Sequence, residues 1–177
     1  PVNMVRFYCL ILPSKFTYKA RYSMQDNAKI KVGISIGDLN GIGCEVILKT
    51  FEDPRTLELC TPVVFASSKT LAQHQQQLGT QLVYQGVASA SEAIEGKFNV
   101  VNIWKEVPEI HFGKETKLGG EYALKSLESA TKALKEGSID VLVTAPINKS
   151  NIQTETFSFP GHTDYLAQEL GGESLMF

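Results

Sequence analysis

The chain has 177 residues, of which 43% are hydrophobic and 20% charged, and its formal net charge is −2. This length suits one sizeable core and is short for two complete domains. The net charge gives no reason to expect a nucleic-acid partner or an anionic membrane surface, and no apolar run approaches the roughly 20 residues that cross a bilayer.

The first 28 residues are predicted to be an extra segment that is not part of the fold. Residues 1–25 contain four basic residues and no acidic one, and they include the short apolar run FYCLILP. A targeting peptide has this composition, but no small-x-small cleavage site follows the run. We favour the alternative that Met24 is the natural start and that the preceding residues lie upstream of it.

From Lys29 onward, strand-like and helix-like segments alternate. In chain order the patterns predict strand 29–36, helix 43–53, strand 62–67, helix 68–79, strands 81–85 and 98–104, helix 119–137, strand 138–146, helix 163–170 and the beginning of a strand at 173–177. This alternation predicts an α/β fold with a largely parallel sheet flanked by helices. A last strand without a following helix is typical of a truncated chain.

The helix at 119–137 has the clearest pattern. Its apolar residues recur at helical spacing on one face, and the pairs Glu121–Lys125 and Glu128–Lys132 are predicted to form ion pairs on the exposed side. The strand at 138–146 is almost entirely apolar, which predicts that both of its faces are covered. By contrast, the glutamine-rich helix at 68–79 is polar, and its His74 is expected to be exposed.

The cysteines favour a reducing environment. Cys9, Cys44 and Cys60 are far apart, form no C-x-x-C pair and have no histidine at zinc-ligand spacing. A disulfide scaffold is therefore not expected, and a cytoplasmic location fits this usage.

Ligands of open α/β sheets bind where strands end and helices begin. The first such junction, GISIGDLNGIGCE, has glycines at 37, 41 and 43 that let the backbone turn tightly or approach an anion. The alternative is a plain glycine-rich turn in which Asp38 caps the backbone. The second junction, VTAPINKSN, places Lys149 just past a buried strand, where it either meets a phosphate or carboxylate or is a solvated loop residue.

The third junction is FPGHTDYLAQEL, residues 159–170. Thr163 is predicted to be the N-cap of its helix, and Asp164 lies in the first turn, where it suits the helix dipole. His162 then precedes a helix N-terminus, a place that suits contact with an anionic ligand. Local spacing leaves three alternatives for His162: closing a turn, contacting a substrate or binding a metal.

Together the three junctions resemble one family. The stretches GISIGDLNGIGCEVILK, VTAPINKSNI and FPGHTDYLA resemble, in this order, the N-terminal half of the 4-hydroxythreonine-4-phosphate dehydrogenases of pyridoxal phosphate biosynthesis. The resemblance covers residues 29–177. One turn departs from the family pattern GDPAGIGPE, because Leu39, Asn40 and Cys44 replace its Pro, Ala and Pro.

The resemblance implies an NAD-dependent oxidation of 4-phosphooxy-L-threonine, followed by decarboxylation to 3-amino-2-oxopropyl phosphate. It implies a divalent metal (Zn, Mg, Mn or Co) that polarises the reacting oxygen. It also implies a fold like the isocitrate and isopropylmalate dehydrogenases, with two α/β domains and a homodimer whose sites share residues. Residues 29–177 would be the N-terminal portion of such a protein.

Residue by residue, His162 and Thr163 match the family's substrate-binding His–Thr pair. The family's metal-binding histidines lie beyond Phe177, so no metal ligand is expected in this chain and the fragment is expected to be inactive alone. Four further residues fall in motifs near the family's cleft without an assigned role: Asp38, Gly41, Gly43 and Lys149. Catalytic residues are not assigned.

Two other functions stay open at this stage. A sister enzyme would oxidise another phosphorylated hydroxy acid, such as a threonate or erythronate phosphate. A chain that lacks the metal histidines could instead be a non-catalytic protein that binds a phosphorylated metabolite.

Overall fold

The computed structural model describes residues 28–154 and 158–171, which fold around a single five-stranded sheet. The strands are β1 (Lys31–Ser35), β2 (Thr61–Ala66), β3 (Tyr84–Val87), β4 (Phe98–Asn102) and β5 (Val141–Thr144). The helices are α1 (Gly43–Glu52), α2 (Thr56–Leu59), α3 (Ser68–Leu78), α4 (Lys117–Lys135) and α5 (His162–Leu170), with a short 3-10 helix at Ala90–Glu92. None of these helices combines the length and apolar character that crossing a bilayer requires.

Every predicted element in this part of the chain is confirmed in type, with ends that differ by at most three residues. The short helix α2 was not predicted. The predicted strand at 173–177 lies outside the described residues, and so do residues 1–27 of the predicted extra segment 1–28.

All strand pairings in the sheet are parallel, in the order β3-β4-β2-β1-β5. This confirms the predicted α/β fold. Strands β2, β4 and β3 lie on one side of β1, and β5 lies on the other side. The carboxyl ends of β1 and β5 are therefore the topological switch point, where ligands of such sheets bind.

The two faces of the sheet are covered by different helices. In β2, Val63 and Phe65 belong to one core cluster and Val64 and Ala66 to the other, as the two-residue period of a strand requires. Residues of α4 and α5 complete the first cluster, and residues of α1 and α3 complete the second.

The prediction that β5 is covered on both faces is wrong. β5 pairs with β1 alone among the described strands, and Val141 and Val143 are only half-buried. An apolar groove of about 630 Å³, open to solvent, runs beside them along β1 and α1. Apolar composition predicts burial in general, but it does not distinguish an edge strand from a central one.

The prediction that His74 is exposed is also wrong. Its side chain has no exposed surface, and its ring packs edge-on against Phe112 with 5.2 Å between the ring centroids. Thr70, Leu71 and His74 are the buried residues of α3, so the histidine lies on the same helical face as its apolar neighbour.

The ion pairs predicted within α4 are replaced by others. The pairs that form are Lys117–Glu121 at 3.8 Å, Lys132–Glu136 at 3.8 Å and Lys125–Glu106 at 3.6 Å. The Glu106 carboxylate also accepts a hydrogen bond from the Tyr122 hydroxyl. The Lys125 ammonium lies 4.5 Å from the centre of the Tyr122 ring, so both contacts favour the side of the helix that faces Glu106. A partner from outside the helix thus overrides the local pairing rule.

Candidate functional site

The turn after β1 joins the two strand ends at the switch point. Gly37 has a φ of +69°, and a β-carbon there would lie 2.1 Å from the Pro146 carbonyl oxygen. The Asp38 amide donates to that same carbonyl at 3.0 Å. Only glycine fits both the backbone conformation and this close approach.

The Asp38 carboxylate points into the protein. Its side chain is 6% exposed, and it accepts hydrogen bonds from the Asn40 amide at 2.7 Å and from the Asn151 side-chain amide at 2.6 Å. It lies against Gly119 in the first turn of α4, where a β-carbon would come within 2.6 Å of it. A negative charge is favoured near a helix N-terminus, so this carboxylate is stabilised by its surroundings.

Asn40 ties the same turn to the loop before α4. Its side-chain amide donates to the Thr116 hydroxyl at 2.7 Å, and its side-chain carbonyl accepts the His111 amide at 2.7 Å. Thr116 in turn caps α4 by accepting the Gly119 amide at 3.1 Å. Sequence analysis did not single out Asn40, Thr116 or Asn151 as parts of one network, since their contacts join distant parts of the chain.

A cleft opens at the switch point between residues 38–42, 113–115 and 146–148. It encloses about 800 Å³, including the part that is open to solvent. Two of the residues predicted near a cleft, Gly41 and Asp38, line this one. The Asp38 carboxylate is turned inward, away from the cleft. Gly43 lies outside the cleft, because it packs against the Ile36 carbonyl at the start of α1.

The loop after β5 forms a compact turn that carries Lys149. The Ile152 amide donates to the Asn148 carbonyl at 3.2 Å, and the Ser150 amide donates to the Asn148 side chain at 2.9 Å. Lys149 is exposed and lies outside the cleft. Its Cε and Nζ atoms are 3.6 and 4.0 Å from the position of a β-carbon on Gly161, which precedes α5.

The prediction that Thr163 is the N-cap of α5 is wrong. The helix begins one residue earlier, at His162, and the N-cap is Gly161 in a fully extended conformation. Because the N-cap residue is a glycine, it has no side chain that could accept a hydrogen bond from the first amides of α5.

His162 is half-buried at this uncapped helix start. Its Nδ1 atom is buried and has no hydrogen-bond partner among the described residues. Burial lowers the pKa of His162, and the positive charge of Lys149 lowers it further. An imidazole held towards its neutral form, next to an ammonium group at a helix start, can bind a group that carries both negative charge and hydroxyls.

The described residues do not fit a metal centre. They contain no group of three histidine, cysteine, aspartate or glutamate side chains that could hold an ion. The Asp38 carboxylate is already bonded, and Cys44 is fully buried with a pKa raised to about 12.

Comparison with known proteins adds three observations. Residues 58–177 match the family model described as pyridoxal phosphate biosynthetic protein PdxA. The chain is 49% identical over 155 residues to a 4-hydroxythreonine-4-phosphate dehydrogenase of Bacteroides thetaiotaomicron, covering 86% of this chain and 42% of that protein. It is 30% identical over 147 residues to a Clostridium botulinum protein with the provisional name D-threonate 4-phosphate dehydrogenase, covering 80% of this chain and 43% of the relative.

The fold is similar to that of solved relatives. A crystal structure of a 4-hydroxythreonine-4-phosphate dehydrogenase from Burkholderia phymatum superposes with a TM-score of 0.74 at 28% identity. That match covers 83% of this chain and 45% of the solved one. The chain thus spans less than half the length of these relatives.

Proposed function

The chain belongs to the family of pyridoxal phosphate biosynthetic proteins PdxA, and from this premise we propose that it supplies half of an NAD-dependent 4-hydroxythreonine-4-phosphate dehydrogenase. The name of the Bacteroides thetaiotaomicron relative supports the substrate. In the proposed reaction the secondary alcohol of 4-phosphooxy-L-threonine loses a hydride to NAD and a proton to solvent. The resulting β-keto acid then loses carbon dioxide, and C2 takes up a proton from solvent to give 3-amino-2-oxopropyl phosphate.

One observation supports the substrate site most strongly: the buried Nδ1 of His162 has no partner among the described residues and lies beside Lys149 at a helix start whose N-cap is a glycine. Buried polar atoms without partners are rare in folded proteins, and a bound ligand is one way to satisfy them. We propose that the His162 ring hydrogen-bonds the substrate. Thr163 and the first amides of α5 would add further donors.

NAD is proposed as the hydride acceptor. The cleft at the switch point has apolar walls from Ile42 and Ile147 and a side-chain-free wall at Gly41 and Gly113, which suit one flat ring of a dinucleotide. NAD would supply the acceptor for the hydride of the alcohol carbon. The divalent metal and the homodimer that the family resemblance implies are also part of the proposal, with metal ligands supplied from outside the described residues.

A second candidate substrate is D-threonate 4-phosphate. The Clostridium botulinum relative supports it, since that protein is 30% identical and carries the corresponding name. The two substrates differ at C2, where one carries an amino group and the other a hydroxyl. Both keep the phosphate and the oxidisable alcohol, so the same His162 site could serve either one.

A chimeric enzyme tests the proposal. Residues 29–177 replace the matching residues of the Bacteroides thetaiotaomicron relative, and formation of NADH is followed with each substrate in the presence of Zn, Mg or Mn. We expect turnover of 4-phosphooxy-L-threonine and a loss of about 100-fold or more in kcat/KM for His162→Asn, because a bonded substrate group is left unpaired. Turnover of D-threonate 4-phosphate alone would favour the second candidate, and a folded chimera that turns over neither would contradict both.

A further inference from the structure

We propose that Asp38 is a positioning residue that holds Lys149 against the start of α5 through Asn151. Asp38 itself does not face the substrate site, since its carboxylate is turned inward towards α4. Its effect on ligand binding would be transmitted through the loop after β5. The inference rests on the proposed function in one respect only, the identity of the anion that Lys149 would bind.

The first step of the argument is the bond between Asp38 and Asn151. The Asn151 side-chain amide donates to the Asp38 carboxylate at 2.6 Å and to the Thr116 carbonyl at 2.9 Å. Asn151 is 8% exposed, so both bonds lie away from solvent. Hydrogen bonds to a charged group contribute more than neutral ones, which makes Asp38 the stronger of the two acceptors.

The second step is the space that two glycines leave for this bond. A β-carbon on Gly119 would lie 2.6 Å from the Asp38 carboxylate, and one on Gly120 would lie 2.0 Å from the Asn151 carbonyl oxygen. The start of α4 thus lacks side chains where the Asp38 turn and the Asn151 loop meet. The pair of glycines permits a close contact between three segments of the chain.

The third step leads from Asn151 to Lys149. Residues 148–152 form one hydrogen-bonded turn, closed by the bond from the Ile152 amide to the Asn148 carbonyl. Ile152 has no exposed surface and fixes the far end of the turn in the core. With Asn151 and Ile152 fixed, the position of Lys149 on the same turn is restricted, and its side chain lies along Gly161.

Lys149 has no competing partner in the described part of the chain. No carboxylate of residues 28–154 or 158–171 lies within ion-pair distance of its ammonium group. As far as the described residues show, its orientation towards α5 is therefore set by the turn that carries it. If the turn were released, a flexible lysine would spend less time beside His162.

The pKa of His162, measured without any ligand, reports the distance to Lys149. We would follow the three histidine rings of the full 177-residue chain by proton–carbon NMR across pH. Lys149→Met is expected to raise the pKa of His162, because a nearby positive charge is removed. Asp38→Asn and Asn151→Ala are each expected to raise it in the same direction, since Lys149 moves away.

A double variant separates positioning from a general structural effect. Asp38→Asn in the Lys149→Met background is expected to leave the pKa of His162 where Lys149→Met alone puts it. Asp140→Asn is the matched control, because the Asp140 carboxylate accepts the Lys31 amide at the opposite end of the sheet. This control is expected to leave the His162 titration unchanged.

Binding of 4-phosphooxy-L-threonine to the same variants supplies a second readout. We expect about tenfold weaker binding for Asp38→Asn and Asn151→Ala, the loss that one charge-assisted contact gives. An unchanged His162 pKa in both variants, while Lys149→Met raises it, would overturn the inference. An equal rise with and without Lys149 would overturn it too, and a failure of Lys149→Met to raise the pKa would show that the lysine does not lie beside His162.

The titration outcomes, which are measured without ligand, do not depend on the proposed activity. If the chimera turns over neither substrate while the His162 titration behaves as expected, the proposed function fails and the positioning role of Asp38 stands. If the chimera turns over a substrate while Asp38→Asn and Asn151→Ala leave the pKa of His162 unchanged, the proposed function stands and the positioning role of Asp38 fails.

Discussion

The turn after β1 and the start of α5 are both conspicuous in the sequence, yet their polar side chains have opposite environments. In the turn, Asp38 and Asn40 are buried and their side-chain polar atoms accept or donate hydrogen bonds within the protein. At α5, the Nδ1 of His162 has no partner among the described residues and Lys149 has no ion pair there. The comparison supports the proposal that the turn holds the structure together and that the helix start binds a ligand.

The largest expected effect is on stability and falls on the turn. Asp38→Ala leaves the Asn40 amide and the Asn151 side chain without their acceptor in a buried place, which we expect to lower the free energy of unfolding by about 2–4 kcal/mol. Urea unfolding of the variant and of the wild type measures this. A loss below about 1 kcal/mol would show that the turn is not structural, and the comparison would fail.

A buried histidine elsewhere sharpens the comparison. Both ring nitrogens of His74 also lack partners among the described residues, but the whole His74 side chain is buried against Phe112, whereas His162 is half-buried. Burial lowers the pKa of His74 from 6.5 to about 4. An unpaired nitrogen thus indicates a ligand site only where a ligand can reach it.

The lowered pKa of His74 predicts how stability depends on pH. Between pH 6.5 and 4 the unfolded chain binds the proton and the folded chain does not, so the free energy of unfolding falls as the pH falls through this window. The expected loss is up to about 3 kcal/mol. Unfolding of wild type and His74→Leu at several pH values measures it, and the variant should lose this part of the pH dependence.

His162→Asn is expected to have the smallest effect on stability and a clear effect on binding. The wild-type Nδ1 has no partner among the described residues to lose, so the free energy of unfolding should change by less than about 1 kcal/mol. Binding of 4-phosphooxy-L-threonine should weaken by about tenfold or more. Thr163→Ala serves as a neighbouring comparison on the same helix, and a large loss of stability without any loss of binding would make His162 a structural residue.

The sequence predicts the elements of this fold well because they depend on local periodicity. The helix at 119–137 and the strands around it follow from apolar spacing that neighbouring residues carry themselves. The same reasoning predicted His74 to be exposed, since its glutamine-rich surroundings are polar. The burial of His74 depends on Phe112, which lies nearly 40 residues away and leaves no mark on the local pattern.

The site was predictable only in part, because some of its contacts also join residues that are far apart in the chain. Four site residues belong to short sequence motifs and lie near the carboxyl edge of the sheet: Asp38, Lys149, His162 and Thr163. The bond between Asp38 and Asn151 joins residues 113 positions apart, and no spacing rule predicts it. The sequence therefore indicated which residues to consider, whereas the fold shows which of them face inward.

The central claim is that the start of α5 faces the ligand, and the three histidines of the chain provide its most direct test. The ring signals of His74, His111 and His162 are followed by NMR while 4-phosphooxy-L-threonine is added to the 177-residue chain. We predict a saturable shift of the His162 signals with little change at His74 and His111. Shifts confined to His111, or no shift at His162 at concentrations where the Bacteroides thetaiotaomicron relative is saturated, would contradict the account.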